Sequence, residues 1–300
     1  MPETPKRLCF VVNPFGGKKK GPAIMRQIKP VFDAAGVAVD IIETEYSRHA
    51  WSIVQGLDPK KYDGICGIGG DGTLHELVNG LLTRPDNADI PIGMVPGGSG
   101  NSFMESLKCL DPIDAAQRII IGHTRPIDVA GVSLAGEKTV YSCNIVGWGL
   151  VTDVMIEADK YRWMGGAQYT FASAIEVMKG KTRRGKLMVD GKIIDDDYIF
   201  ILGCNTPFTG RSMLMAPRAQ LSDGHIDLVI VRQAPRIKVL RLLPKVFDGS
   251  HVTSPLLEYR YVKEFEFYPE VESQVNIDGE LAGNTPISMK MIPHAFRLLT

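Results

Sequence analysis

The sequence predicts two domains, an α/β N-terminal domain built on a parallel sheet and a C-terminal antiparallel β-sandwich. Its 300 residues exceed what most single cores support, since these stop growing near ~250–300 residues. In the first third, apolar strands alternate with amphipathic helices, which favours a parallel sheet covered by helices. From about residue 124, short strands joined by turn residues predominate, which favours antiparallel pairing. We therefore place the domains at residues 1–126 and 127–300.

The N-terminal domain is expected to contain four apolar strands, at residues 8–12, 37–43, 64–68 and 90–95. Between the first two strands, the pattern predicts a helix that begins near Pro22, ends before Gly36 and carries four apolar residues on one face: Ile24, Ile28, Val31 and Phe32. Ser47 is expected to cap a short second helix.

The C-terminal domain is expected to contain strands at residues 127–134, 140–146, 186–194, 198–204, 225–231, 257–267, 271–277 and 287–292. Asp190-Gly191 has the composition of a hairpin turn. Two helices interrupt these strands. One spans residues 152–178 with a break at Gly165-Gly166, and the other spans residues 236–247.

Composition argues against several classes of protein. The formal net charge is zero, so no global attraction to nucleic acid or to an acidic membrane is expected. The five cysteines are scattered and form no CxxC or Cys/His cluster, which argues against a disulfide framework or a zinc site. No segment approaches the ~18 apolar residues of a membrane span. A cytoplasmic protein is expected.

The stretch from Gly67 to Gly80 is the most informative one, because a buried strand leads into a glycine turn and then a helix. Glycines surround Asp71 and leave room for phosphates to approach the backbone. The helix that follows offers unpaired N–H groups and the positive end of its dipole. A carboxylate here suits a phosphate-bound metal or the removal of a proton from an attacking hydroxyl. We expect Thr73 and Glu76 to form a capping box, and we interpret the turn as a phosphoryl-transfer site.

Two further glycine turns follow predicted strands, at residues 13–17 and 96–101. Ligands bind at the carboxyl ends of strands in parallel sheets, so Asn13, Asp71 and Ser99 are expected in one site. Each turn is also explained as a plain strand-to-helix connection. For residues 13–17 this structural explanation is nearly as good as a role in binding. Neither a Walker A loop nor a G-x-G-x-x-G fingerprint is present.

Charged residues elsewhere allow structural as well as functional explanations. Lys18-Lys19-Lys20 forms either a solvated run or a contact to a nucleotide phosphate. Asp153, Glu157 and Arg162 lie close together on a predicted helix, where they form either a solvated face or an ion-paired network. Asp278-Gly279-Glu280 has the pattern of an ordinary hairpin turn.

Several motifs, taken together, resemble the lipid-kinase family of diacylglycerol, sphingosine and ceramide kinases. In chain order they are Asn13-Pro14-x-Gly16-Gly17-Lys18, Thr44-Glu45 with Arg48-His49, Gly69-Gly70-Asp71-Gly72-Thr73 with His75-Glu76 and Asn79-Gly80, Pro96-x-Gly98-Ser99-Gly100-Asn101, Asp159-Lys160-Tyr161-Arg162, Met215-Ala216-Pro217, Ser222-Asp223-Gly224-x-x-Asp227 and Asn276-x-Asp278-Gly279-Glu280. The resemblance implies an N-terminal domain similar to phosphofructokinases and NAD kinases, and a C-terminal β-sandwich whose last strands return toward the N-terminal domain. ATP with Mg²⁺ would lie in the cleft, and the lipid would enter the second domain.

The resemblance also implies roles for individual residues. Asp71 resembles the general base toward the lipid hydroxyl, but in bacterial diacylglycerol kinases the glutamate at the Glu280 position is regarded as the base. We favour Asp71, with Glu280 as an orienting or metal-linked partner, and with Asp71 and Asp223 as metal ligands. The implied nucleotide-binding residues are Asn13, Pro14, Gly16, Thr44, Glu45, Arg48, His49, Gly69, Gly70, Gly72, Thr73, Glu76, Gly98, Ser99, Gly100, Arg162, Asp278 and Gly279.

Two departures from the family pattern bear on the substrate. Sphingosine kinases carry a second acid two residues after the Asp153 position, and Met155 stands there in this chain. A second arginine expected beyond Arg162 is replaced by Gln168. With Asp71, Asp153 and Met155 as the implied substrate contacts, ceramide, diacylglycerol or another neutral lipid alcohol fits better than sphingosine.

We therefore expect an ATP- and Mg²⁺-dependent kinase that phosphorylates the primary hydroxyl of a sphingolipid- or diacylglycerol-type lipid. It would contact membranes transiently and peripherally, without a nucleic-acid partner, and its oligomeric state is left open. Candidate walls of an acyl-chain pocket are residues 152–178 and 213–215, although ordinary core packing is the better explanation of any single one of these residues. Two alternatives are a soluble kinase of NAD or a sugar phosphate, and a nucleotide-binding regulator without catalysis.

Overall fold

The computed structural model describes residues 4–17, 19–136, 139–210 and 212–300, without the side chain of Arg162. The chain divides into two compact units. The first comprises Met1–Val129 together with Pro293–Thr300, and the second comprises Ala130–Ile292. Among the residues described, no helix combines the length and the apolar character that crossing a membrane requires.

The first unit alternates strands and helices as the sequence predicts. Its elements are β1 (Arg7–Val12), α1 (Gly21–Ala34), β2 (Ala38–Glu43), α2 (His49–Gly56), β3 (Gly64–Gly69), α3 (Asp71–Leu82), β4 (Ile92–Pro96), α4 (Ser102–Ser106), α5 (Pro112–Ile121) and the first part of β5 (Thr124–Leu134), with a 3-10 turn at Pro59–Lys61. β1 pairs in parallel with β2 and with β3, and β3 pairs in parallel with β4. The predicted parallel sheet is confirmed.

Burial explains why these strands read as continuous apolar runs. Every residue of β3 and β4 is buried, and only Arg7 of β1 is exposed. α1 places Phe32 edge-on to Phe10 of β1, with ring centroids 5.1 Å apart. Its buried face differs slightly from the prediction, because Met25 and not Val31 completes it. The sheet is thus covered on its faces, and its polar residues lie at the strand ends.

The second unit is rich in antiparallel strands. Its elements are the end of β5, β6 (Val140–Ser142), β7 (Ile145–Gly149), α6 (Leu150–Asp159), α7 (Gln168–Lys179), β8 (Arg183–Val189), β9 (Lys192–Cys204), β10 (Ile226–Arg232), α8 (Arg236–Leu240), β11 (Leu257–Val262), β12 (Glu264–Pro269), β13 (Gln274–Ile277), β14 (Glu280–Asn284) and most of β15 (Ile287–Leu299), with 3-10 turns at Arg162–Ala167, Pro244–Val246 and Ser250–Thr253. The long strand β9 pairs antiparallel with β7, β8 and β10. The predicted fold class is therefore confirmed in this half as well.

Glycine conformations account for two of the predicted connections. Asp190 and Gly191 both have positive φ values, 52° and 69°, as the tight hairpin between β8 and β9 requires. Gly165 has φ 57° and ψ −120°, and this non-helical conformation separates α6 from α7. The predicted break in the helix of residues 152–178 is thereby confirmed.

Several predicted boundaries were wrong. Residues 140–146 and 257–267 each form two strands. Predicted strand 186–194 is divided between β8 and β9 at the Asp190-Gly191 turn, and its second part is continuous with predicted strand 198–204 in β9. The predicted helix at 236–247 is α-helical only over α8 and ends in a 3-10 turn at Pro244–Val246, since proline cannot donate to the helical ladder. Ser47 does not cap α2, whose N-cap is Arg48 in the left-handed region at φ 65°.

The chain end returns to the first unit. Leu298 of β15 pairs in parallel with Ile92 of β4, and the amide of Thr300 donates to the carbonyl of His123 over 2.9 Å. Near the same place, the Asp128 carboxylate accepts the amide of His294 over 2.7 Å.

The aromatic core of the second unit allows a stability prediction. Phe267 is fully buried, with its ring centroid 4.3 Å from that of Trp148 and 5.6 Å from that of Tyr198. We expect Phe267→Ala to lower the free energy of unfolding by about 3–5 kcal/mol, through lost burial and the cavity that remains. The neighbouring Tyr268→Ala is the matched control, because Tyr268 is 43% exposed. Denaturant unfolding of both variants checks this, and equal losses would contradict the assignment of the core.

Candidate active site

The glycine turns after β1, β3 and β4 lie against one another. A Cβ added to Gly98 would lie 2.7 Å from the nitrogen of Gly70 and 2.8 Å from the carbonyl oxygen of Gly100. A Cβ added to Gly17 would lie 2.8 Å from the carbonyl carbon of Gly97, and Gly17 also has φ 56°. Contacts this close are possible only between main chains without side chains. The three turns therefore form one backbone surface at the carboxyl edge of the sheet.

Asn13 shapes the first of these turns. Its side-chain Oδ1 accepts the backbone amides of Phe15 and Gly16, each over 2.9 Å. The backbone N–H of Asn13 donates to the carbonyl of Ile68 over 3.2 Å. Pro14, the next residue in the chain, is half-buried. The side chain of Asn13 thus folds the turn locally, and its backbone N–H ties the turn to β3. Lys18, which follows this turn, lies outside the described residues.

Asp71 is the first residue of α3, and its carboxylate reaches across to the next turn. Oδ2 accepts the amide of Ser102 over 2.9 Å, and Oδ1 accepts the amide of Phe103 over 3.0 Å. The amide of Asp71 donates to the carbonyl of Gly100 over 3.3 Å. Asp71 therefore caps the short helix α4 and fixes the turn at residues 97–101 relative to α3. The sequence pattern did not predict that Asp71 caps α4.

Some amides in the turns stay unused. The amide of Gly98 donates to Oδ1 of Asn101 over 3.1 Å, and the amide of Gly97 donates to the carbonyl of Gly69 over 2.8 Å. By contrast, the amides of Gly72, Ser99 and Gly100 donate to no other residue in the described part of the chain. Unpaired amides at a helix N-terminus and in a glycine turn form a site for an anion.

The predicted capping box at Thr73 and Glu76 is wrong. The N-cap of α3 is Gly70, so Thr73 lies inside the helix, where it is buried. The Glu76 carboxylate turns to the start of α2 and accepts the amides of Arg48 and Ala50, each over 3.0 Å. It thus satisfies donors at the N-terminus of a different helix.

The segment between β2 and α2 carries further residues that the family resemblance implies. Thr44 is buried, and its amide donates to the carbonyl of Val12 over 2.9 Å. The Nδ1 atom of His49 accepts the amide of Glu45 over 3.0 Å, and the His49 ring stacks on Tyr46 at a centroid distance of 4.3 Å. The Arg48 guanidinium lies over the ring of Trp51. The side chains of Tyr46 and Arg48 are exposed beside the start of α2.

In the second unit, the turn at residues 278–280 joins β13 to β14. Asp278 and Gly279 have φ 52° and 93°, and Glu280 is exposed. The Asp278 side chain is buried, and its two oxygens accept four donors at the break between β6 and β7: the Ser142 hydroxyl and the amides of Cys143, Asn144 and Ile145, over 2.7–3.0 Å. Asp278 thus explains why predicted strand 140–146 is interrupted.

The charges on α6 form the ion-paired alternative that the sequence left open. Asp153 accepts Nη2 of Arg183 at both oxygens, over 2.8 and 2.7 Å. Glu157 binds Lys160 and Lys179, and these hydrogen bonds lower the pKa of its carboxyl to about 2. Met155 is half-buried on the same helix. The Arg162 side chain lies outside the described residues.

Among the residues described, the predicted metal ligands Asp71 and Asp223 do not belong to a cluster of metal-binding side chains. Oδ1 of Asp223 accepts the amide of His225 over 3.0 Å, in the turn before β10. Asp227, two residues further on, is fully buried, and its desolvation raises the pKa of the carboxyl to about 6 although the Tyr259 hydroxyl donates to it over 2.5 Å. Among all residues described, no group of three or more His, Cys, Asp or Glu could hold a metal ion.

The role of Glu76 gives a prediction. We expect Glu76→Ala to lower the free energy of unfolding by about 1–3 kcal/mol, because two amides at the start of α2 lose a charged acceptor. Amide hydrogen exchange should accelerate at Arg48 and Ala50 in particular. Glu43→Ala is the control, since Glu43 is exposed at the end of β2. Unchanged protection of both amides would show that Glu76 does not hold this segment.

Comparisons with known proteins bear on the identity of the chain. A family model of the diacylglycerol kinase catalytic domain matches residues 7–132, and a model of the YegS C-terminal NAD kinase beta sandwich-like domain matches residues 144–300. Sphingosine kinase 1 of Arabidopsis thaliana is 34% identical over 335 positions, which cover 92% of this chain and 68% of that protein. Homo sapiens ceramide kinase is 32% identical, with 88% of this chain and 62% of that protein covered.

A solved structure agrees with the fold. A diacylglycerol kinase from Bacillus anthracis str. Sterne matches with a TM-score of 0.80 at 22% identity, covering 98% of this chain and 97% of that one. The chain belongs to the lipid-kinase family that is defined by the diacylglycerol kinase catalytic domain and that includes the sphingosine and ceramide kinases, a family that phosphorylates alcohol groups.

Proposed function

We propose that the protein transfers the γ-phosphoryl group of ATP to the primary hydroxyl of a sphingolipid- or diacylglycerol-type lipid, with Mg²⁺ as cofactor. The observation that carries this proposal is the backbone surface of the three glycine turns, with the unpaired amides of Gly72, Ser99 and Gly100. Phosphate oxygens are strong acceptors, and backbone amides beside a helix N-terminus suit them.

The glycines in these turns support a polyphosphate ligand. Gly69, Gly70 and Gly98 let the turns pack tightly, because an added Cβ at each of them would meet Thr73, Gly100 or Gly70. This packing would hold the unpaired amides in place for phosphate oxygens. Asn13 and Gly16 would hold the neighbouring turn in shape. The segment at residues 44–49, held by Glu76, would form the remaining border of the nucleotide site. In the second unit, Arg162, Asp278 and Gly279 stay predicted contacts by resemblance alone.

The residues present suit a magnesium ion that arrives with the nucleotide. Mg²⁺ is commonly bound by one or two carboxylates together with substrate phosphates, and the proposed carboxylates are Asp71 and, separately, Asp223. When bound, the ion would neutralise charge on the transferred phosphoryl group. This chain's own residues would contribute fixed amides and one positioned carboxylate.

We assign the general base to Asp71, with Glu280 as an orienting partner. The oxygens of Asp71 accept the amides of Ser102 and Phe103. A carboxylate offers about four lone-pair positions, so the same oxygens can also accept the proton of a substrate hydroxyl. The two amides would hold the carboxylate in one orientation throughout the transfer, which favours a positioned base.

Residues of α6 support the proposed substrate class. Met155 supplies no charge for an amine, and Asp153 is already paired with Arg183. We therefore propose a neutral lipid alcohol such as ceramide or diacylglycerol. Methionine adapts to flexible ligands, so Met215 in the apolar core of the second unit and Met213 packed against that core are candidate contacts for acyl chains. The enzyme would act in the cytoplasm, with transient peripheral contact to a membrane.

Phosphate transfer onto a panel of acceptors tests this function. With ATP and Mg²⁺, we expect transfer to ceramide or diacylglycerol in mixed micelles, and little or none to sphingosine or NAD. Asp71→Asn should lower kcat by about 10²–10⁴-fold while ATP binding and thermal stability are measured in parallel. Glu280→Gln should lower it less.

The outcomes of this panel separate the alternatives. A larger loss for Glu280→Gln than for Asp71→Asn would assign the base to Glu280. Transfer to NAD alone would overturn the lipid substrate and favour a soluble kinase. ATP binding without transfer to any acceptor would favour a nucleotide-binding regulator.

The glycine turns give a second prediction. Gly98→Ala should abolish most ATP binding, because its Cβ would lie 2.7 Å from the nitrogen of Gly70 and force the turns apart. Gly56→Ala is the matched control, since an added Cβ there meets nothing within 4 Å. Isothermal titration with ATP checks this. Equal affinity in Gly98→Ala and the wild type would mean that the nucleotide does not use these turns.

A further inference from the structure

The second unit carries a cationic helical segment on its surface. Residues 236–247 contain four cations and no acid, and no acid occurs between Gln233 and Asp248. Because the whole chain has a formal net charge of zero, this is a local concentration of charge. We call residues 236–247 the basic segment.

One face of the basic segment packs into its own unit. Beyond α8 the helical path continues, since the amide of Arg241 donates to the carbonyl of Ile237 over 3.2 Å and the amide of Lys245 donates to that of Leu242 over 3.0 Å. Val239, Leu242 and Val246 are buried, at the spacing of one helix face. This packing fixes which side chains point outward.

The outward face combines cations with apolar side chains. Lys238, Arg241 and Lys245 are exposed, and Ile237 beside them is 55% exposed. Phe247 at the end of the segment is 50% exposed. Arg236 differs from the other cations, because its guanidinium lies over the main chain of Gly180, where an added Cβ would come within 2.8 Å of its Cζ.

The outward cations have no carboxylate partner. In the part of the chain that the structure describes, the side chains of Lys238, Arg241 and Lys245 form no ion pair or hydrogen bond. By contrast, Arg183 and Arg232 in the same unit are paired with Asp153 and Glu258, at 2.7 and 2.6 Å. The charge of the outward face is therefore available to an external anion.

We propose that the basic segment is the surface by which this protein docks on an anionic lipid bilayer. Lys238, Arg241 and Lys245 would lie among anionic headgroups, and Ile237 and Phe247 would enter the boundary between headgroups and acyl chains. A cationic amphipathic surface with apolar side chains is typical of peripheral membrane binding. Nucleic acid would attract the cations but would leave Ile237 and Phe247 in water. The inference rests on the proposed function only in that the substrate is a lipid in a bilayer.

Co-sedimentation of the full chain with vesicles tests this inference. The wild type is measured with vesicles of phosphatidylcholine alone and of phosphatidylcholine mixed with phosphatidylglycerol. We expect partition to the anionic vesicles to be stronger and to weaken with added salt, because salt screens exposed charges. The triple variant Lys238→Gln, Arg241→Gln, Lys245→Gln should bind them on the order of 100-fold more weakly, at roughly five-fold per cation. Ile237→Ser should weaken binding several-fold without changing the salt dependence.

The matched control removes the same charge elsewhere in the unit. Lys186→Gln, Lys192→Gln, Lys263→Gln alters three exposed lysines that lie outside the basic segment. Partition of this control should stay within a few-fold of the wild type. Equal losses in the two triple variants would overturn the proposal, because binding would then follow net charge alone. Binding of the wild type to duplex DNA as tightly as to anionic vesicles would overturn the lipid assignment.

Transfer in neutral detergent micelles separates this inference from the proposed function. All variants here should keep wild-type transfer in micelles, since none changes a residue placed in the site. Transfer without vesicle binding by the wild type would overturn the docking surface and leave the kinase function standing. Vesicle binding without transfer to any acceptor would support the docking surface and overturn the kinase function.

Discussion

The structure of the first unit depends on the close approach of main chains at its glycine turns. Gly17 meets Gly97, and Gly98 meets Gly70, at distances that leave no room for a Cβ. Parallel strands bring their carboxyl ends to one edge of a sheet, but they do not by themselves bring the following turns into contact. Glycine removes the steric barrier, and the amides that remain unpaired create a surface for an anion. The same contacts thus shape the fold and its proposed chemistry.

Within each unit, carboxylates hold neighbouring segments together by binding backbone amides. Asp71 binds the start of α4, Glu76 binds the start of α2, and Asp278 binds the break between β6 and β7. Each of these residues belongs to a motif that also suggests chemistry. For Glu76 the two roles are compatible, since a carboxylate oxygen that accepts one amide retains a further lone pair. Oδ1 of Asp278, by contrast, already accepts three donors. Loss of activity on substitution therefore needs a parallel measurement of stability before it is ascribed to catalysis.

Much of the fold could be predicted from local sequence, and the failures at Glu76 and Asp278 have a common cause. Strands followed by glycine turns, the Asp190-Gly191 hairpin and the break near Gly165 are encoded within a few residues. The partners of Glu76 and Asp278 are not: Glu76 binds an amide 28 positions away, and Asp278 binds a hydroxyl 136 positions away. Thr73 and Glu76 have the spacing of a capping box, yet Gly70 begins the helix and the distant amides take the carboxylate. Motifs predicted which residues form the site, whereas only tertiary structure showed what Glu76 and Asp278 bind.

Under the proposed function, zero net charge and a local basic segment complement each other. A strongly cationic chain would be held by any polyanion, whereas a neutral chain with one cationic face binds weakly, reversibly and in a defined orientation. A phosphorylated lipid adds negative charge to the surface on which it forms. Docking through Lys238, Arg241 and Lys245 would therefore strengthen where product accumulates. The electrostatic attraction would then be coupled to the reaction itself, through a surface that shares no residue with the proposed site.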